Sequence, residues 1–132
     1  MEQELKELFS EAKAAMKKAY APYSRFTVGA AILTAEGNIF KGCNVENASL
    51  GLTSCAERNA IFSAVQQEGK EMKLKAVAIA CDNQSGVSPC GACRQVIKEF
   101  SDKETVVIYY FNGNFQTKKI AELLPDSFAF ES

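Results

Sequence analysis

At 132 residues, with 47% hydrophobic and 23% charged side chains, the chain has the length and composition of one soluble, core-forming domain spanning residues 1–132. It contains no histidine, which excludes Ser-His-Asp and Cys-His catalysis, HExxH metal sites and histidine proton shuttles. Fifteen Lys plus Arg against sixteen Asp plus Glu leave a net charge of −1, without the basic stripe by which nucleic-acid binders track phosphates, so no nucleic-acid partner is expected.

Leu5, Leu8, Phe9, Ala12, Ala15, Met16 and Ala19 recur at helical spacing and predict an amphipathic helix to about Tyr20. This charged start is neither a signal peptide nor a membrane span, so a cytoplasmic protein with no membrane partner is expected. Ala21-Pro22-Tyr23-Ser24 stops the helix, and Phe26 to Leu33 reads as a strand whose Gly29 permits close backbone approach. A turn at residues 35–38 leads into Ile39 to Asn47, which should pair back as a hairpin. Ser54 and Glu57 have capping-box spacing, so a helix is expected from about Cys55 to Gly69. Lys75 to Cys81 reads as a buried strand. Ser88 as N-cap and Pro89 at the first helical position predict the next helix, to about Phe100. Thr105 to Phe111 is a further strand, residues 112–114 a turn, and Thr117 to Leu124 a short last helix. Strands alternating with helices imply an α/β class, a sheet covered on both faces in a three-layer α/β/α sandwich, with the strands after the hairpin parallel.

Without histidine, a metal must rely on thiolates or carboxylates. The odd count of five cysteines suits metal ligation better than paired disulfides. Cys55 precedes Ala56-Glu57, and Cys90 and Cys93 form Pro-Cys-Gly-Ala-Cys. All three thiols fall in first turns of predicted helices, where free N–H groups and dipole ends favour thiolates. Together they could hold one zinc ion with a fourth position open, as catalytic sites require. A divalent ion with three thiolates carries excess negative charge. Arg58 is placed to hydrogen-bond a ligand sulfur and relieve it, with Arg94 a second candidate. A redox dithiol or a structural zinc in a non-catalytic module remains an alternative for the CxxC pair. Glu57 also has a plain capping reading, Phe26 a core reading, and Asn44 and Glu46 a reading as solvated strand positions. Cys43 and Cys81 read as buried small hydrophobes.

Cys55-Ala56-Glu57 followed by Pro89-Cys90-Gly91-Ala92-Cys93 resembles the zinc deaminase signature, with cysteine where many relatives have histidine. With PYSRFTVGAA and GCNVENAS, the chain resembles the small homotetrameric, all-cysteine cytidine deaminases from about Pro22 to Phe128. The resemblance implies one cytidine deaminase domain around a mixed five-stranded sheet. It also implies one zinc on Cys55, Cys90 and Cys93, and Glu57 as proton shuttle. Asn44 and Glu46 would meet the ribose, Phe26 the base, and the backbone around Ala56 the pyrimidine edge. Phe128 of a neighbouring subunit would stack on the ring, so the expected partners are a small nucleoside substrate and further copies of the chain. A deaminase of another aminopyrimidine is the rival within the superfamily. Leu50, where many relatives have an aromatic, and the tail Phe128-Ala129-Phe130, where many end in Phe-Gly, depart from the pattern.

Overall fold

The structure is a computed structural model that describes residues 2–130; Met1, Glu131 and Ser132 of the expected 1–132 span lie outside the described residues. Its centre is a five-stranded sheet of order β2-β1-β3-β4-β5. The strands are β1 (Val28–Thr34), β2 (Ile39–Cys43), β3 (Leu74–Cys81), β4 (Ser101–Phe111) and β5 (Asn114–Lys119). β1 is antiparallel to both β2 and β3, β3 and β4 are parallel, and β4 and β5 form an antiparallel hairpin. The helix-linked pair β3 and β4 is thus parallel, as expected.

Alternation along the strands builds the two outer layers. Ala31, Leu33, Ala76, Ala78, Ala80 and Ile108 face one side and bury Leu8 and Ala12 of α1 (Glu2–Met16). The run of alanines lets α1 lie close to the sheet. Ala30, Ile32, Val77, Ile79, Val107 and Tyr109 face the other side, under α2 (Ala56–Glu68), α3 (Gly91–Glu99) and α4 (Ile120–Leu123). This is the mixed five-stranded α/β/α sandwich.

Two glycines set the distance between the sheet and its helices. A Cβ on Gly29 would overlap the backbone of Ala12 and Met16 in α1. On Gly42 it would lie 2.5 Å from both the Ala56 carbonyl oxygen and the Ala60 nitrogen in α2. The bare backbone of β2 therefore seats the first turn of α2.

Several element bounds differ from expectation for identifiable reasons. α1 ends at Met16 rather than Tyr20: residues 17–19 turn through i→i−3 bonds, and the Tyr20 N–H then bonds the Asn44 carbonyl. Tyr20 is captured as a bridge to Val45. β4 starts at Ser101 because Leu74 pairs with it ahead of a register shift. Residues 117–119 are strand, not helix: Asn112 and Gly113 both have positive φ, the hairpin turn forms, and its ladder runs to Lys119 opposite Val106. α2 and α3 begin later than expected, at Ala56 and Gly91, with Cys55 and Cys90 as their N-cap residues. Among the described residues no helix is long and apolar enough to cross a membrane.

Candidate metal centre

α2 and α3 start side by side at one end of the sheet. Cys55 and Cys90 are extended N-cap residues with no side-chain cap bond, and Cys93 lies buried in the first turn of α3. Their three sulfurs lie within 4.8 Å of one another. Three thiolates at about 2.3 Å from a tetrahedral zinc would sit about 3.8 Å apart, so the donor set fits that ion with little movement. Cys43 and Cys81 are outside the cluster, and both are half-buried rather than buried.

The surroundings favour ionised sulfur unevenly. A hydrogen bond from Cys93 brings the Cys55 thiol down to about 5, against the upward push of burial, and Arg58 adds a hydrogen bond and its charge. Cys93 is pushed up, since it is the donor to Cys55 and is buried. Arg58 Nη2 donates to Cys55 Sγ at 3.1 Å, as the sequence suggested. Arg94 does not share this role. Its Nε donates to the Pro89 carbonyl and its Nη1 to the Leu123 carbonyl, both at 2.7 Å, so it ties the entry of α3 to the end of α4.

Glu57 is 5% exposed, and burial raises its carboxyl above the ordinary range, with the negative charge of Cys55 adding to the effect. The expected capping box is not formed. The Ser54 hydroxyl donates to Asn59 Oδ1 at 2.7 Å, and Cys55 takes the N-cap position. Glu57 instead lines a cavity of about 200 Å³ shared by Cys55, Cys90, Ala56, Phe26, Asn44 and Glu46. A larger hollow of about 560 Å³, between α1 and the β4–β5 hairpin, holds none of the clustered thiols.

The substrate-side expectations divide. Asn44 is buried, not solvated: its Oδ1 accepts from the Val28 N–H and its Nδ2 donates to the Phe26 carbonyl, both at 2.8 Å. It fixes the backbone that carries Phe26. The Glu46 carboxylate is held below its ordinary range by the Ser24 hydroxyl and by the N–H groups of Ser24 and Tyr23. Phe128 is 71% exposed and lies outside its own chain's cavity; its carbonyl accepts from Gln95 Nε2. Ser24, Thr53, Val87 and Ser88 also line the cavity. Sequence reading gave none of them a role in the site, naming Ser88 only as a helix cap, and Ser24 lies within the PYSRF segment that carries the family resemblance.

Converging thiols at paired helix N-termini, a buried glutamate and an adjoining cavity define a thiolate-ligated zinc enzyme on an α/β/α sandwich. Residues 2–109 match the cytidine and deoxycytidylate deaminase zinc-binding region. The chain is 44% identical over 130 residues to a cytidine deaminase of Sporosarcina psychrophila, covering 97% of this chain and 93% of that protein. It is 45% identical over 125 residues to that of Halalkalibacterium halodurans, covering 94% and 93%. Its fold superposes on the crystal structure of cytidine deaminase from Burkholderia pseudomallei with a TM-score of 0.86 at 45% identity, over 93% and 98% of the two chains. The chain belongs to the cytidine and deoxycytidylate deaminase family.

Proposed function

We propose that this chain, as a single domain over residues 1–132, hydrolyses cytidine and 2′-deoxycytidine to the uridine products and ammonia. The reading includes a cytoplasmic homotetramer serving pyrimidine salvage. The observation that carries it is one cavity lined by a buried glutamate, metal-capable thiols and polar groups suited to a sugar. Cys55, Cys90 and Cys93 would hold the zinc, which when bound supplies Lewis acidity that makes water nucleophilic near neutral pH.

The remaining chemistry belongs to the chain. Glu57 accepts a proton from the attacking water and delivers it to N3 of the pyrimidine as C4 is attacked; it then takes the second proton from the new C4 hydroxyl and passes it to the amino group, which leaves as ammonia as the C4 carbonyl forms. Burial suits this shuttle, because a carboxyl raised above its ordinary range is the stronger base toward the proton of water. Arg58 draws negative charge from the Cys55 sulfur. Phe26 packs on the base and the Ala56 backbone meets its edge. Asn44 and Glu46 receive the ribose, which favours a nucleoside over free cytosine. Phe128 of a neighbouring subunit closes the ring face. Three converging thiols exceed what a redox dithiol needs.

The test is Glu57→Gln. The variant should fold and retain one zinc per chain, while ammonia release from cytidine falls by about 10³-fold or more. Near-wild-type turnover would remove Glu57 from the mechanism, and a purified protein without zinc would overturn the metal assignment. A single-stranded oligonucleotide should release no ammonia.

A further inference from the structure

Ser24 occupies a junction in the cavity wall. Its hydroxyl donates to Glu46 Oε2, while its own N–H and that of Tyr23 donate to Oε1 at 3.1 and 2.9 Å. The same Ser24 oxygen accepts the Phe26 N–H at 3.0 Å. One side chain thereby links the acid assigned to the sugar with the aromatic assigned to the base. The link spans Arg25, whose φ of +60° bends the chain back on itself. Among the described residues no cation pairs with Glu46, so these three donors set its orientation. A carboxylate offers about four lone-pair directions. Three are taken, and the one left lies on Oε2, the oxygen that Ser24 holds.

We propose that Ser24 is a positioning residue that makes this enzyme selective for sugar-bearing pyrimidines, by fixing the Glu46 carboxylate so that its remaining lone pair meets a sugar hydroxyl. The proposal rests on the cytidine reading above. Without the Ser24 hydroxyl, Oε2 is free to turn toward solvent and away from the sugar, a part of the substrate remote from the reacting carbon. Weaker binding there affects substrate and transition state alike, so it raises KM and spares kcat.

The experiment compares zinc-loaded wild type, Ser24→Ala, Ser24→Cys, Ser24→Thr and Glu46→Gln, and the double variant Ser24→Ala/Glu46→Gln. Cytidine is the substrate, and 1-methyluracil, which lacks the sugar, is a competitive inhibitor. Ser24→Ala should raise KM for cytidine by about tenfold or more with kcat held within about twofold. Ser24→Thr should restore KM. Added to Glu46→Gln, the Ser24 change should have no further effect. Inhibition by 1-methyluracil should be the same in wild type and Ser24→Ala. Should the alanine variant not fold, Ser24→Cys, a weak donor, gives the same split at smaller amplitude. A wild-type KM in a folded hydroxyl-less variant, or an equal loss of 1-methyluracil binding, would overturn the proposal. Wild-type protein that turns over no cytidine would instead remove the functional reading beneath it.

Discussion

At the scale of single residues, the proposed centre faces a charge problem: three thiolates around one divalent ion would leave an electron-rich site that resists activating water. Arg58 answers it with a charge-assisted hydrogen bond to Cys55 at 3.1 Å. The sign of this effect can be read in the zinc-free, reduced protein. Cys55, down at about 5, is ionised at pH 6 and above and becomes protonated as pH falls through that value. Removing the guanidinium removes part of what stabilises the thiolate, so Arg58→Gln should move the midpoint of Cys55 alkylation by iodoacetamide upward and slow the reaction at pH 6. Arg58→Lys should recover part of the shift, as a point charge without the planar fork. Identical alkylation profiles for wild type and Arg58→Gln would mean that the Cys93 hydrogen bond alone sets the ionisation. The thiols, Glu57 and Arg58 were legible in the sequence because short spacings place them on two helix starts. Ser24 and Asn59 were not. Ser24 acts on Glu46 across 22 positions, and Asn59 holds the Cys43 carbonyl across 16, so their partners exist only after folding.

At the scale of elements, periodicity gave α1 to α3, β1 to β4 and their layers but read the end of β5 as helix, while local capping rules misplaced the two starts that matter most. Ser54 and Ser88 are good N-cap residues by propensity, yet Cys55 and Cys90 take those positions. Long-range pairing decides this at α2. Ser54 exchanges backbone hydrogen bonds with Val45, which keeps it extended, and its hydroxyl goes to Asn59. The helix therefore begins one residue later, which places a thiol at the cap and releases Glu57 into the cavity. Gly42 secures the same arrangement from the strand side. Gly42→Ala would drive a methyl group into the backbone of α2 at its first two turns. The expected outcome is destabilisation of about 1–3 kcal/mol by chemical unfolding, together with faster loss of zinc to a chelator, because the displaced turn carries Cys55. Gly29→Ala creates the corresponding overlap against α1, remote from the thiols, and should destabilise without changing the rate of zinc loss. Equal zinc loss in both variants would show that general loosening, not the seat of α2, controls the metal.

At the scale of the whole molecule, the four most exposed large apolar side chains among the described residues lie in the segment leading to the cavity-lining Thr53 and in the tail. Leu50 and Leu52 are 74% and 71% exposed in the short turn before Thr53, and Phe128 and Phe130 are 71% and 87% exposed after α4. Isolated exposed leucines or phenylalanines are ordinary, but two such pairs fit the proposed assembly, in which further copies of the chain would cover them. If Phe128 completes the site of a neighbour, its loss must be repairable from outside. Phe128→Ala chains keep Glu57 and the thiols but lack the ring-stacking donor, whereas Glu57→Gln chains keep the donor and lack the shuttle. When the two are unfolded together, mixed and refolded with zinc, hybrid assemblies form sites in which a Glu57 from one chain meets a Phe128 from another. Cytidine turnover at low substrate should then rise well above the mean of the two variants refolded separately. Sedimentation should show the same assembly size in every sample. Turnover equal to that mean, in assemblies shown to be mixed, would place Phe128 outside the neighbour's site and leave each chain's cavity to work alone.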